Sequence, residues 1–153
     1  MQQHLTFVLG GEVFAIGILA IKEIIAYTAP TAVPMTSAHV CGVIDVRGAA
    51  VPVLDLSVRF GNAAAPVTKR TCIVILEVTS ADAPNTIGIV VDAVNAVLDI
   101  PPAEIEPPPA LSGRIRSDFI QGLGKVNGRF VILLDIERIL ASEATLLDRA
   151  GAQ

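Results

Sequence analysis

The sequence has few of the residues that build metal centres, disulfide frameworks and aromatic interfaces. Its 153 residues include two cysteines, two histidines, one tyrosine and no tryptophan. Neither a Cys-x-x-Cys pair nor a Cys/His cluster at zinc spacing occurs, so we predict no metal site and no cofactor. Cys41 and Cys72 lie against apolar residues and are interpreted as reduced, buried hydrophobic side chains. The scarcity of Tyr and Trp predicts that any protein interface is aliphatic and of modest affinity.

Positive charge and long apolar runs are also scarce. The net charge is −4 and no run of basic residues occurs, which argues against a nucleic-acid partner and against binding to an anionic membrane surface. The longest apolar run, Ala15 to Ile21, ends at Lys22 and is too short for a membrane span. The N-terminal apolar stretch is too short for a signal peptide. We therefore expect a cytoplasmic protein with no direct membrane insertion.

No catalytic motif stands out. Gly-x-Ser-x-Gly, His-Glu-x-x-His and phosphate-loop patterns are absent from the sequence, and Gly122-Leu-Gly-Lys matches only part of a nucleotide loop. The remaining candidates are aspartates at predicted strand ends, where a carboxylate pair could support acid–base chemistry: Asp45, Asp55, Asp92, Asp99 and Asp135. Their simpler role is to end strands or cap helices. We predict that the protein is not an enzyme, and an enzyme using these aspartates is the remote alternative.

The most informative stretch runs from Gly42 to Leu56. It reads as two short apolar strands, 42–46 and 49–56, that reverse direction at Arg47 and Gly48. A tight hairpin turn requires positive φ, which glycine adopts at little cost, and we predict this conformation for Gly48. Pro52 cannot donate to a ladder, so its strand is predicted to be an edge strand or to carry a bulge.

This hairpin pattern recurs later in the chain. Residues 122–136 repeat the apolar run, and the glycines and the closing aspartate of the first hairpin match Gly122, Gly128 and Asp135. Upstream, residues 14–25 align with 87–98. The chain is therefore interpreted as two diverged copies of one β-rich unit, roughly 5–65 and 71–140, within a single domain of residues 1–153.

Each copy alone is near the lower size limit for independent folding, so we expect the copies to share a core. Short strands separated by glycine turns predict an all-β fold of two packed β-barrels of about five strands each. Residues 19–25 are predicted to form one or two helical turns, and the proline-rich stretch 101–109 a crossover. Asp135 is predicted to cap a C-terminal helix with apolar positions Ile136, Ile139, Leu140 and Leu147. The pattern leaves open whether the barrels exchange a strand.

Short segments spread in order along almost the whole chain carry a family resemblance. Those that carry it best are Phe14-Ala-Ile, Ile21-Lys-Glu-Ile-Ile, Gly42-Val-Ile, Val46-Arg-Gly, Val51-Pro-Val-Leu-Asp-Leu, Arg70-Thr-Cys-Ile-Val, Gly88-Ile-Val-Val-Asp, Phe119-Ile-Gln-Gly-Leu-Gly and Val131-Ile-Leu-Leu-Asp. In order and spacing the sequence resembles the CheW family of bacterial chemotaxis coupling proteins. The resemblance implies barrels of the src-homology-3 type.

The resemblance also implies a function. Proteins of this family are non-catalytic adaptors that hold the regulatory domain of the histidine kinase CheA at the cytoplasmic tip of a chemoreceptor, and so work at the inner face of the membrane. In the family the kinase contact joins barrel ends, and the receptor docks near the junction of the barrels. A coupling module of a non-flagellar array, or of a coupling–receiver fusion, is the alternative.

Partner-binding residues follow from the same resemblance. The positions that match the family's contact region are Arg47, Glu23, Ile21, Gly48, Val94 and Val97. Asp45 stands where the family's motif has an asparagine, so an Asp45–Arg47 pair would partly occupy the arginine and alter its preference for partners.

Overall fold

Two β-sheets form the body of the protein. The fold comes from a computed structural model that describes residues 3–34, 40–60, 63–64, 66–80, 83–107 and 119–139. The first part of the chain contributes β1 (Gln3–Leu9), β2 (Glu12–Gly17), β3 (Ile21–Ala26), β4 (Val40–Val46) and β5 (Ala49–Asp55). The second part contributes β6 (Cys72–Ser80), β7 (Ala83–Val91), β8 (Ala93–Asp99), β9 (Ile105–Glu106), β10 (Ile120–Val126) and β11 (Arg129–Leu134).

The predicted all-β architecture is confirmed, with a small difference in strand number. One sheet has six strands in the order β8-β1-β2-β11-β10-β9, and the other has five in the order β3-β6-β7-β5-β4. We expected about five strands in each. The sixth is β9, a two-residue strand that pairs with Leu123 and Gly124 of β10.

Each sheet takes strands from both parts of the chain. The five-stranded sheet combines β3, β4 and β5 with β6 and β7, whereas the six-stranded sheet adds β8 to β11 to the hairpin of β1 and β2. The parts join through parallel pairs, β5 with β7 and β11 with β2. Apart from β9, which has no counterpart, the two orders correspond strand for strand when β3 is matched with β8 and β4–β5 with β10–β11. A common origin of the two units stays a prediction.

Both predicted hairpins form, and their turns have the predicted conformation. Arg47 and Gly48 have φ angles of 51° and 85°, and Asn127 and Gly128 have 51° and 78°. Two successive positive φ values identify type I′ turns, whose twist matches that of the flanking strands. The prediction of an edge strand for Pro52 is wrong, because β5 lies between β7 and β4. The proline is tolerated because β5 pairs with β7 only from Val53 onward, so Pro52 has one neighbouring strand.

The helical turns predicted for 19–25 are wrong. Ile18–Ala20 form a single 3₁₀ turn, and Ile21–Ala26 form β3, which pairs with β6. Burial alternates along β3, because every second side chain faces the interior. The aligned residues of the second part are likewise a strand, β8, rather than helical turns.

The connector helices are short. Leu56–Arg59 form one α-helical turn, α1, and Pro102–Glu104 of the proline-rich crossover form a 3₁₀ turn. Residues 136–139 are helical, and the Oδ1 atom of Asp135 accepts a hydrogen bond from the Arg138 N–H at 3.1 Å, as predicted for a cap. Leu140 and Leu147, which were predicted to belong to this helix, lie outside the described residues.

A shared core joins the two sheets. It contains Phe7, Phe14 and Leu134 from the six-stranded sheet and Leu76 and Ile89 from the five-stranded sheet. Each sheet also encloses a smaller apolar cluster, one around Ile73, Ile75 and Val53 and the other around Ile100 and Leu133. Because the shared core includes strands from both parts, the parts are expected to fold together.

Candidate functional site

Arg47 is fixed in position by its turn. It is one of two non-glycine residues with positive φ among the described residues, a conformation that costs most side chains free energy. The Oδ1 atom of Asp45 accepts a hydrogen bond from the Gly48 N–H at 2.8 Å and closes the same turn. The Arg47 side chain is 82% exposed. The hairpin therefore presents a guanidinium group to solvent from a rigid support.

Glu23 holds the Arg47 side chain. An Oε2 atom of Glu23 lies 2.8 Å from an Nη atom of Arg47, and the Glu23 side chain is only 23% exposed. Glu23 belongs to β3 and Arg47 to the β4–β5 turn, so the pair connects opposite edges of the five-stranded sheet. The sheet must therefore curl until its edges approach each other. Asp45 caps the turn, and the ion pair of Arg47 is with Glu23.

Apolar residues neighbour Glu23 along β3, on both faces of the strand. Ile21 is half-buried and packs against the shared core. Ile24 is 42% exposed and was not predicted as a site residue. The signal that identifies it is the alternation of β3, which is visible only once residues 21–26 are known to be a strand.

Val94 and Val97 lie on β8 in the other sheet. The alignment of 14–25 with 87–98 matches Ile21 with Val94 and Ile24 with Val97, and Val97 is 47% exposed. The predicted site residues thus form two groups, one in each sheet, rather than one cluster. Phe130, which is 52% exposed and was not predicted, lines a groove of about 750 Å³ with Ala96 of β8.

The strand-end aspartates have structural partners. Asp55 accepts a hydrogen bond from the Val58 N–H at 3.2 Å and caps α1. Burial raises the pKa of Asp55, with a smaller contribution from the negative charge of Asp92 and opposition from backbone hydrogen bonds. Asp92 accepts a hydrogen bond from the Gly10 N–H at 2.9 Å and so holds the β1–β2 turn. These contacts give both carboxylates a structural role.

The two cysteines are half-buried and free within the described structure. Burial raises the pKa of the Cys41 thiol to about 11, and the nearby Asp55 carboxylate adds to this shift. A thiol with so high a pKa is a poor nucleophile at neutral pH. Within the described ranges, no group of three or more His, Cys, Asp or Glu side chains is placed to hold a metal ion. No helix in that part of the chain has the length and apolar character needed to cross a bilayer.

Comparison with known proteins places the chain in a family. The CheW-like domain model matches residues 3–144. The chemotaxis protein CheW of Klebsiella aerogenes is 34% identical over 146 residues, which cover 95% of this chain and 86% of the relative. CheW of Rhizobium meliloti is 33% identical over 142 residues, covering 93% and 89%.

A solved structure agrees with the sequence comparison. The scaffolding protein TtCheW from Thermoanaerobacter tengcongensis superimposes with a TM-score of 0.82 at 28% identity, over 95% of this chain and 93% of that one. The two-sheet fold described above is thus the fold of a CheW scaffold. The chain therefore belongs to the CheW-like family, whose relatives are scaffolding proteins of bacterial chemotaxis.

Proposed function

We propose that the protein is a non-catalytic adaptor that couples the regulatory domain of the histidine kinase CheA to the cytoplasmic tips of chemoreceptors. The observation that carries the proposal is the Arg47–Glu23 pair, an exposed guanidinium held on a rigid turn in a chain of the CheW-like family. The protein would act in the cytoplasm and reach the inner face of the membrane through the receptor. Neither membrane insertion nor a nucleic-acid partner belongs to this proposal.

The geometry of Arg47 suits a protein interface. A guanidinium group forms planar, bidentate hydrogen bonds with carboxylates and with backbone carbonyls. Because Glu23 and the turn already restrict Arg47, the side chain loses less conformational freedom when it binds. Glu23 leaves most of the group accessible, since the Arg47 side chain is 82% exposed.

The other residues of the predicted site supply the rest of the proposed contact. Ile21 and Gly48 lie near the pair in the five-stranded sheet, and Val94 and Val97 form a second contact on β8. With one apolar contact on each sheet, the chain can bridge two partners. Aliphatic contacts without Tyr or Trp give modest affinity, so stable assembly is expected to depend on many linked contacts in an array.

Co-sedimentation tests this proposal. A multimeric receptor cytoplasmic fragment is pelleted with the protein, with and without the kinase regulatory domain. Arg47→Ala is expected to lower the co-sedimented fraction by about fivefold or more, because one interfacial guanidinium contributes about 1–2 kcal/mol. Arg70→Ala is the matched control, since Arg70 is also an exposed arginine but precedes β6. Equal co-sedimentation of the Arg47 and Arg70 variants would remove Arg47 from the site.

A further inference from the structure

The second hairpin turn places a side-chain amide next to an unhindered backbone nitrogen. Asn127 and Gly128 are both exposed, and a Cβ added at Gly128 would meet no atom within 4 Å. The carbonyl carbon of an asparagine amide can be attacked by the backbone nitrogen of the next residue. Glycine favours this attack because it has no side chain to hinder the approach. The turn therefore presents an electrophile and a nucleophile side by side on an accessible surface.

The first hairpin turn protects the corresponding nitrogen. The Gly48 N–H donates a hydrogen bond to the Oδ1 atom of Asp45 at 2.8 Å. In the second hairpin the position of Asp45, two residues before the turn, is occupied by Lys125. A lysine side chain has donors and no acceptor, so it cannot make this bond. Among the described residues, no side chain accepts a hydrogen bond from the Gly128 N–H, and this nitrogen is accessible for reaction.

The two turns also differ in how they are tied to the rest of the sheet. Arg47 is paired with Glu23 on the opposite edge, whereas the counterparts in the second sheet, Asn127 and Ala96, carry no charge. Both of these residues line the groove of about 750 Å³ that separates β8 from the β10–β11 hairpin. The attack requires the turn to open until the Cγ atom of Asn127 reaches the backbone nitrogen. A hairpin end that is held by few contacts opens at a low cost in free energy.

We infer that Asn127 is a site of spontaneous deamidation through a cyclic imide. The Gly128 nitrogen forms a bond to the Cγ atom of Asn127 and closes a succinimide ring. The bond from Cγ to Nδ2 breaks, and the leaving nitrogen takes up the Gly128 proton and departs as ammonia. Water then opens the ring at one of its two carbonyl carbons, which gives either aspartate or isoaspartate. The reaction consumes only water, and the inference does not depend on the proposed adaptor function.

Either product changes the surface around the turn. Aspartate adds a negative charge between two basic residues of the flanking strands, Lys125 and Arg129. Isoaspartate carries the main chain through the former side chain, which lengthens the turn by one carbon atom. A lengthened turn cannot keep the type I′ geometry that matches the twist of β10 and β11. Because Asn127 and Phe130 line the same groove, we expect isoaspartate to change the shape of that groove.

Peptide mapping by mass spectrometry tests the site in the folded full chain. The protein is incubated at mildly alkaline pH, and the loss of each asparagine amide is followed with time. Asn95 is the internal control, since it is also exposed but the next N–H, that of Ala96, donates to the Oγ1 atom of Thr6 at 3.2 Å. We expect Asn127 to deamidate at least about tenfold faster than Asn95 and to give both product isomers. Equal rates, or aspartate without isoaspartate, would overturn the inference.

A variant of the second hairpin tests the role of the accessible nitrogen. Lys125→Asp gives this hairpin the acceptor of the first, and Lys125 is exposed, so the fold should tolerate the change. Deamidation of Asn127 should slow about tenfold, because a hydrogen bond to a charged acceptor must break before the nitrogen reacts. Lys125→Ala is the matched control, which removes the lysine without adding an acceptor. Equal rates for the two variants would overturn the assignment of the Gly128 nitrogen as the reactive group.

The first hairpin allows the reverse experiment. Arg47→Asn puts the same dipeptide into the first turn but leaves the Asp45 cap in place, so this turn should deamidate about tenfold more slowly than Asn127. Adding Asp45→Ala removes the cap and should bring the rate close to that of Asn127. A capped first turn that reacts as fast as the second would show that the hydrogen bond gives no protection, and the inference would then be wrong.

Discussion

The two hairpin turns have the same backbone and different side chains. Arg47-Gly48 and Asn127-Gly128 share nearly equal positive φ angles. Asparagine is among the residues that tolerate this conformation best, whereas arginine has no local hydrogen bond that favours it. Asn127 therefore suits the backbone of its turn better than Arg47 does. The proposed interface role of the exposed guanidinium accounts for an arginine at a turn position that asparagine tolerates better.

The glycines at the strand bulges should show the largest effect. A Cβ at Gly42 would collide with the carbonyl oxygen of Thr31, and Gly42 has a φ of 142°. A Cβ at Gly122 would lie 2.7 Å from the Glu106 carbonyl oxygen, without the positive φ. We expect Gly42→Ala to lower the free energy of unfolding by about 3 kcal/mol or more, and Gly122→Ala by less.

Urea denaturation of both variants measures this difference. Gly17→Ala is the control, because a Cβ there meets no atom within 4 Å and φ is not positive. A larger loss for Gly122→Ala than for Gly42→Ala would show that backbone conformation matters less at these bulges than contact with the neighbouring strand.

Arg47→Asn should have an intermediate effect. It should raise the stability of the fold and weaken binding to the receptor. The variant gives the first turn the residue of the second, so relief of the unfavourable φ should raise the free energy of unfolding by about 1 kcal/mol. The loss of the exposed ion pair with Glu23 subtracts roughly 0–1 kcal/mol. Thermal unfolding and receptor co-sedimentation are measured together. A variant that is less stable than the natural chain and binds the receptor normally would contradict the proposed role of Arg47.

Asp55→Asn should have the smallest effect on the free energy of unfolding, and this effect should depend on pH. Because the pKa of Asp55 is raised in the folded state, ionisation of Asp55 disfavours folding, and this cost is present at neutral pH and lost as pH falls. Asparagine keeps an oxygen that can cap α1. We expect a gain in the free energy of unfolding below about 1 kcal/mol at pH 7, since Asp55 is only half-buried.

The counterpart of Asp55 is the control. Asp135 pairs with Arg138, so Asp135→Asn should give no gain at pH 7. Unfolding curves at pH 7 and pH 4 separate the two variants, because the gain of Asp55→Asn should shrink at the lower pH. A gain that is equal at both values would show that the charge of Asp55 is not its cause.

The sequence predicted the features that local chemistry dictates. The hairpins follow from glycines that require positive φ, and the caps at Asp55 and Asp135 follow from side chains that bond to nearby N–H groups. Residues 19–25 were predicted to form helical turns because the isoleucines at 21, 24 and 25 fit a helical spacing. Residues 21–26 form a strand because they pair with β6, which lies about fifty residues later in the sequence. No local sequence pattern predicts this pairing.

The candidate site was predictable only in part. Arg47 and Glu23 were named from a family resemblance, and their 2.8 Å contact depends on the curling of the five-stranded sheet. The exposure of Ile24 and Phe130 depends on which side of a strand each side chain takes. The burial of His4 depends on the sheet that covers it, so a histidine near the N-terminus gave no signal in the sequence.

The exchange of strands between the two parts of the chain has a consequence for cutting the polypeptide. A fragment ending in the loop after α1 would hold β1 and β2 without β11, and β5 without β7. Both this fragment and the rest of the chain would leave apolar faces uncovered. We therefore expect neither to be stable alone. We therefore expect the molecule to unfold in one cooperative step and to be transferable between proteins only as a whole.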